Sequence, residues 1–219
     1  MILKNIKLLL FKIPFVRKQV YRKRFVIDKL TTLNNCYLNA PIGKHIITEN
    51  AIIGEKASTG SAPVRVHIKH NGVLKLEEKS FIRGGCKFLI NGNGFINLGK
   101  NSYINWNSNI ATGGNAKVII GKNCAIAWNT NIIAYDFHVF NEKNYSDDII
   151  IEDNVWIGAN TTILKGVKIR EGCVIASNSL ITKGDFPKNS LIGGNPGKVL
   201  KENISWRNLT KEEKQSLTS

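Results

Sequence analysis

The chain has 219 residues, 42% of them hydrophobic, which is enough to bury one sizeable core. Its 31 Lys and Arg against 16 Asp and Glu give a net charge of +15, an attraction for nucleic acid, an anionic membrane face or a phosphate-rich cofactor. No recognised nucleic-acid motif is present and much of the excess lies at the termini, which argues against nucleic acid. The four cysteines, Cys36, Cys86, Cys124 and Cys173, are far apart with no CxxC spacing, which argues against a zinc knuckle or a disulfide framework and fits a reducing cytoplasm.

Residues 1–29 carry nine Lys or Arg against the single acid Asp28, interleaved with Ile, Leu, Phe and Val. The apolar run Leu8 to Phe11 is broken by Lys12, Pro14, Arg17 and Lys18, too soon for a membrane span. Residues 1–30 therefore read as a basic amphipathic helical segment. It either caps the open end of the domain that follows or makes peripheral contact with an anionic membrane at its inner face.

From residue 76 onward an aliphatic residue recurs every sixth position. Ile151, Ile157, Ile163, Ile169, Ile175 and Ile181 form one unbroken register. Upstream, the same register runs through Leu76, Ile82 and Phe88, then Leu98, Ile104 and Ile110, then Ile120, Ile126 and Ile132, with 22 residues between successive starts. A helix needs apolar spacing near 3.6 and an ordinary strand needs two, so a period of six predicts a three-sided coil of short parallel strands. The four residues beyond three hexapeptides collect Gly and Asn, at Asn91 to Gly94 and Gly113 to Asn115, and read as turns bulging from one corner. Four positions after each aliphatic residue stands a small one: Ser80, Cys86, Ser102, Ser108, Cys124, Thr130, Val155, Thr161, Val167, Cys173 and Ser179. Three of the four cysteines fall on this ladder and read as buried packing residues rather than nucleophiles. The solenoid domain spans 31–200, with a C-terminal helical extension at 201–219. In that extension Thr210 and Glu213 have the spacing of a capping box for a helix over 205–217.

The register breaks once, between Ile132 and Ile151, giving a loop over 133–150 that holds Tyr135, Asp136, Phe137 and His138. Long loops on a rigid scaffold are where function concentrates. On the residues alone, His138 is as readily a solvated side chain as a base. Asp136 lies two residues earlier and shares its face if the segment is extended, where a carboxylate would hold the imidazole tautomer.

The repeats, the stretch Ile151 to Asn160 and the stretch Gly193 to Leu200 resemble the hexapeptide-repeat acyltransferases, in the branch containing galactoside, maltose and polysaccharide O-acetyltransferases. The resemblance implies an all-β fold, a left-handed parallel β-helix with short N- and C-terminal helices. Its handedness comes from the resemblance alone, since crossover statistics favour the other hand. It also implies an acetyl-CoA-dependent acetyltransferase, a homotrimer without a metal, acting on a sugar or glycan hydroxyl. The family's essential histidine sits on the loop before the Asn-Val-Trp-Ile-Gly segment, a position that His138 matches here as general base. By the same resemblance Asn105 and Trp156 meet the acceptor. Ala159, Ser177, Thr182 and Lys183 line the pantetheine and diphosphate of coenzyme A, and Lys198 and Lys201 meet its nucleotide phosphates. The basic N-terminus points to surface polysaccharide as acceptor. N-acetylation of a nucleotide-linked amino sugar is the rival reading, and a purely structural solenoid or a nucleic-acid-binding protein the non-enzyme ones.

Overall fold

In the computed structural model, which describes residues 25–27, 31–40, 43–55, 60–136, 138–139 and 145–216, the chain winds as a three-sided prism of parallel strands. The first face stacks eight strands from Phe25–Ile27 to Gly184–Phe186. The second stacks eight parallel strands from Thr32–Leu33 to Leu191–Gly194 and ends on one antiparallel strand, Gly197–Lys201. The third stacks seven from Cys36–Asn39 to Leu180–Ile181. The hand is the left, as in the known proteins of this fold. No helix among the described residues is long and apolar enough to cross a membrane. Phe25–Ile27 pairs with Gly43–Thr48, so strand pairing reaches into the segment 1–30 that the sequence analysis assigns to a helix. Residues 1–24 of that segment lie outside the described residues.

The period of six is the vertical stack of the core. On the first face Leu76, Leu98, Ile120, Ile151 and Ile169 are successive Cα partners. Ile82, Ile104, Ile126, Ile157 and Ile175 follow on the second face, and Phe88, Ile110, Ile132, Ile163 and Ile181 on the third. Every one is at most 2% exposed. Each such side chain contributes roughly 1.5–3 kcal/mol on burial, and like residues at a spacing of about 4.8 Å pack without voids.

The small ladder turns the corners. Ser102 Oγ donates to Gly121 O at 2.6 Å and accepts from Cys124 N–H at 2.8 Å, tying one coil to the next, and Ser108 does the same with Ala127 and Thr130. The cysteines take the same donor role, Cys124 Sγ reaching Glu152 O at 3.1 Å and Cys173 Sγ reaching Pro187 O at 2.9 Å. Burial pushes the Cys86 thiol up to about 12 and Cys124 to about 11, so neither supplies a thiolate. Outside this ladder the corners are made by asparagine. Asn101, Asn107, Asn123, Asn129, Asn154, Asn160 and Asn178 all stand in the left-handed region, φ 55–59°, which asparagine tolerates better than other non-glycine residues.

The four extra residues of the 22-residue coils fall at the corner between the third and first faces. Two widen the turn at Asn91 to Gly94, closed by Gly94 N–H donating to Asn91 O at 3.0 Å, and one lengthens the strand on each side, giving Lys87–Ile90 and Phe95–Leu98 where the later coil has Thr162–Leu164 and Val167–Ile169. Ile90 and Ile96 are fully buried, so the prism is wider at its N-terminal end and the added width is filled.

The C-terminal helix is shorter than the capping spacing suggests, Lys211–Ser216, and 204–210 run extended along the second face. Three contacts hold this strap: Ile204 N–H to Asn189 O at 2.9 Å, Trp206 Nε1 to Asn154 O at 2.8 Å, and Tyr103 Oη to Asn208 Oδ1 at 2.9 Å. The capping box itself is present. Glu213 N–H donates to Thr210 Oγ1, and Thr210 N–H to Glu213 Oε2, while Arg207 donates twice to the same carboxylate at 2.7 Å.

Two expectations follow from these contacts. Asn123→Val, which forces a β-branched residue into the left-handed corner, should cost about 1–2 kcal/mol in denaturant unfolding, whereas Asn123→Gly should cost less. Arg207 and the Thr210 N–H hold the Glu213 carboxyl down at about 2, below its ordinary 4.5. Its contribution is then complete above pH 4.5 and is lost as the pH falls through 2. A carboxyl NMR titration of Glu213 should show a midpoint near 2, and one at the ordinary value would remove the Arg207 contact from the account.

Candidate active site

The register places the sequence-derived residues on two different corners of the prism. The loop leaves the third face after Asn131–Ile133 and rejoins the first at Ile149–Ile151, so it springs from the corner between those faces. Its root is a two-stranded closure: Tyr135 bridges Ser146, Asp136 N–H donates to Tyr145 O at 2.7 Å, and Asp147 N–H donates to Ala134 O at 3.1 Å. The rings of Tyr135 and Tyr145 meet edge to face at 5.7 Å. The coil before makes room with Gly113 and Gly114. A Cβ on Gly113 would stand 2.8 Å from the Tyr135 ring, and one on Gly114 would stand 2.8 Å from Ser146 Oγ. The glycines that mark a turn in the sequence thus also seat the loop.

His138 is exposed on this loop. The Asp136 carboxylate is engaged by Lys165 Nζ, from the turn of the following coil, and the structure does not bring Asp136 and His138 into contact. Thr182 and Lys183 occupy the equivalent turn one coil further on and are exposed at the same corner. His138, Asp136, Thr182 and Lys183 therefore belong to one edge of the third face.

Asn105, Trp156, Ala159 and Ser177 lie at the other edge, where the second face turns into the third. They line one groove of about 490 Å³, together with Tyr103, Ala125, Ala127, Trp128 and Gly158 from the faces and Trp206 to Leu209 from the strap. The backbone shows how this corner is built. Asn107, Asn129, Asn160 and Asn178 N–H donate to the carbonyls of Gly84, Trp106, Trp128 and Ala159, so Gly84, Trp106, Trp128, Ala159 and Ser177 stand in one column. The column is narrow at Ala159 and Ser177 and bulky at Trp128 and Trp106. Trp156 is 44% exposed and leans on Trp206 with ring centroids 6.0 Å apart. The strap and Trp128 are the parts of this groove that sequence reasoning missed. Two of the strap's contacts, from Trp206 and to Asn208, link residues more than fifty positions apart, and Trp128 signals itself only by recurring 22 residues after Trp106.

Lys198 and Lys201 sit on the terminal hairpin, where Gly193 pairs with Lys198 and Leu191 with Lys201, and both are exposed at the C-terminal end of the second face. The groove has the form a long, thin cofactor requires. Its floor is small side chains, one wall is the aromatic strap, and basic residues stand beyond its C-terminal end. Among the described residues no cluster of three or more His, Cys, Asp or Glu is placed to hold a metal ion.

Comparison with known proteins gives the same reading of the scaffold. Residues 148–183 match the family model described as bacterial transferase hexapeptide (six repeats). Over 79 residues, 36% of this chain and 25% of the relative, the sequence is 35% identical to a polysialic acid O-acetyltransferase of Escherichia coli O1:K1 / APEC. Over 71 residues, 32% of this chain and 29% of the relative, it is 37% identical to a 2,3,4,5-tetrahydropyridine-2,6-dicarboxylate N-acetyltransferase of Staphylococcus aureus. The chain thus spans only about a quarter of the length of the curated relatives it matches. Among solved structures it is similar to the polysialic acid O-acetyltransferase OatWY, with TM-score 0.61, 25% identity, and coverage of 89% of this chain and 93% of the other. It is also similar to the polySia-specific acetyltransferase NeuO, with TM-score 0.58, 26% identity, and coverage of 83% and 72%. The chain thus shares the β-helix scaffold of these acetyltransferases, and residues 148–183 carry the hexapeptide-transferase repeat.

Proposed function

We propose that the protein is an acetyl-CoA-dependent O-acetyltransferase acting on a sugar hydroxyl of a surface polysaccharide, and that it works as a homotrimer. The observation that carries this is the division of the candidate residues between two edges of the third face. A histidine edge (His138, Thr182, Lys183) and a groove edge (Asn105, Trp156, Ala159, Ser177) are complementary but separated within one chain. Two different patches on one subunit are what a head-to-tail interface uses, and such interfaces close into rings. In a trimer, the histidine edge of each subunit faces the groove of the next.

Acetyl-coenzyme A supplies the acetyl group as an activated thioester. In this reading the small side chains of Ala159 and Ser177 admit the pantetheine arm, and Lys198 and Lys201 meet the phosphates. Asn105 and Trp156 hold the acceptor. His138 takes the proton from the sugar hydroxyl as its oxygen attacks the carbonyl, and returns it to the departing thiolate sulfur, so no acyl-enzyme forms. The buried, high-pKa thiols of Cys86 and Cys124 support direct transfer, since neither is a competent nucleophile. Asp136 acts as a positioning residue: its ion pair with Lys165 anchors the loop that presents the imidazole. Likeness to polysialic acid O-acetyltransferases and the net charge of +15 support an anionic glycan as acceptor, with the basic N-terminal segment directing the protein to the inner membrane face. The reaction is then cytoplasmic.

Complementation tests the shared site. His138→Ala and Ala159→Trp should each lose activity, the former by on the order of a hundredfold or more, with the fold retained by circular dichroism. Co-expression of the two should restore a measurable fraction, because mixed trimers contain some interfaces with both edges intact. Absence of restoration with mixed trimers present would sink the shared site. The Staphylococcus aureus relative, named for N-acetylation of a tetrahydropyridine dicarboxylate, supports N-acetylation as the second reading without supporting its amino-sugar acceptor. Mass spectrometry of the product after mild base should show loss of the acetyl group, as an ester requires; an amide product would survive.

A further inference from the structure

The bulky half of the corner column is held by a device that the transfer reaction does not require. Glu55 follows the second-face strand Ile52–Ile53, and its carboxylate collects three donors. Ser61 Oγ donates at 2.7 Å, Arg83 Nη1 at 2.6 Å and Trp106 Nε1 at 2.7 Å. The bond to Trp106 spans 51 positions and passes over the intervening coil, whose residue in the column is Gly84. A Cβ on Gly84 would stand 2.7 Å from Ser61 Cβ and 3.4 Å from Glu55 Oε2, so the gap is kept open for this hub. Arg83 in turn stands over Trp106, its guanidinium carbon 4.3 Å from the ring centroid and 5.0 Å from that of Phe81. Burial pushes the Glu55 carboxyl up, but the bonds from Ser61, Trp106 and Arg83 outweigh it and hold the group below the usual range, ionised at neutral pH.

One face and the edge N–H of Trp106 are thereby committed, yet the residue remains 37% exposed, and Trp128, the next residue of the column, is 50% exposed. Fixing an indole by two side chains, Glu55 and Arg83, that are themselves held by Ser61 and Phe81, and leaving it uncovered, is costly unless something lies on it. The subunit contact proposed above faces the groove, which Trp106 does not line; burying Trp106 against a subunit would put the Arg83–Glu55 pair into an interface core, which is depleted of charge. A pyranose ring fits well: its C–H face packs on indole while its hydroxyls reach the polar corner, here the ladder from Asn129 Nδ2 to Asn160 Oδ1 at 3.1 Å. Arg65 and Lys87, adjacent outward residues on the third face just past this corner, are engaged by no ion pair among the described residues and supply positive charge beside it.

We propose that Trp106 and Trp128 form a glycan-stacking platform that binds a second and further sugar unit of a polymeric acceptor, with Glu55 as the positioning residue that fixes Trp106. Trp106 stands level with Asn105, and Trp128 one coil toward the narrow Ala159–Ser177 end, so the platform adjoins the acceptor position along one corner. This assignment rests on the transferase reading for the identity of the unit at Asn105, but its binding prediction does not depend on turnover.

The test is equilibrium binding, by tryptophan fluorescence and by calorimetry, of two ladders: α2,8-linked sialic acid of one and six units, and glucose against maltohexaose. The wild type should bind the hexamer of at least one ladder tenfold or more tighter than its monomer. Trp106→Ala should abolish that gain, Trp106→Phe should restore most of it, and Glu55→Gln should reduce it; acetyl-CoA affinity and sedimentation should be unchanged in all three. Length-independent or absent binding of both ladders by the wild type overturns the platform, as does a gain that survives Trp106→Ala. A change of oligomeric state in Trp106→Ala would overturn it in favour of a subunit contact. Length-dependent binding without any acetyl transfer would leave the platform standing and remove the transferase reading instead.

Discussion

Everything in this molecule depends on the vertical stacking of like on like. A side chain such as Ile126 is covered above by Ile157 and below by Ile104, so its burial is supplied by the neighbouring coils rather than by residues nearby in sequence. This has a strict geometric consequence. The faces must stay in register, one residue of slip would turn the core outward, and variation is confined to the corners. Each functional feature obeys that restriction. The histidine loop leaves from one corner, the groove is carved at another, and the strap is laid over an outward surface without disturbing a strand.

Within the groove corner the same backbone position serves opposite ends. Where the column holds Ala159 and Ser177 it yields space, and where it holds Trp128 and Trp106 it yields surface. Because the asparagine turns beside these residues repeat with nearly constant φ, the column can change its side chains without changing its path. The Glu55 hub shows the cost of adding a rigid surface to such a scaffold: an ion pair, a cation over a ring and an emptied position at Gly84 all serve to orient one indole.

Much of this was legible in the chain itself. The six-residue period names the inward residues one by one, and the small ladder identifies the cysteines as packing groups, because both are repeats and a repeat is read against itself. Handedness was not legible, since a period carries no sign. The corner turn at Asn91 to Gly94 was legible from its Asn and Gly, but the lengthening of the strands on either side was not; its mark is the buried pair Ile90 and Ile96, which continues the strand alternation. His138 could be singled out by the broken register, but its separation from the groove could not, since that follows from which corner the loop leaves. The partner of Asp136 lies 29 residues on, in Lys165, and the strap joins Trp206 to Asn154; neither spacing belongs to any local rule. The basic segment 1–24 lies outside the described residues, and its role rests on charge alone.

The terminal hairpin settles how this architecture can change length. Every other strand of the second face offers its outer edge to a parallel successor, but Leu191–Gly194 is followed after a tight Asn195–Pro196 turn by Gly197–Lys201 running back along it. That reversal occupies the second face's hydrogen-bonding edge with a strand of the opposite sense, so no parallel strand can extend that face past Leu191–Gly194. Growth or shrinkage in this lineage is therefore expected to come from duplication or deletion of whole coils upstream of residue 191. The counted unit would be 22 residues in the wide part of the prism and 18 in the narrow part, with the reversing strand retained as a fixed terminus.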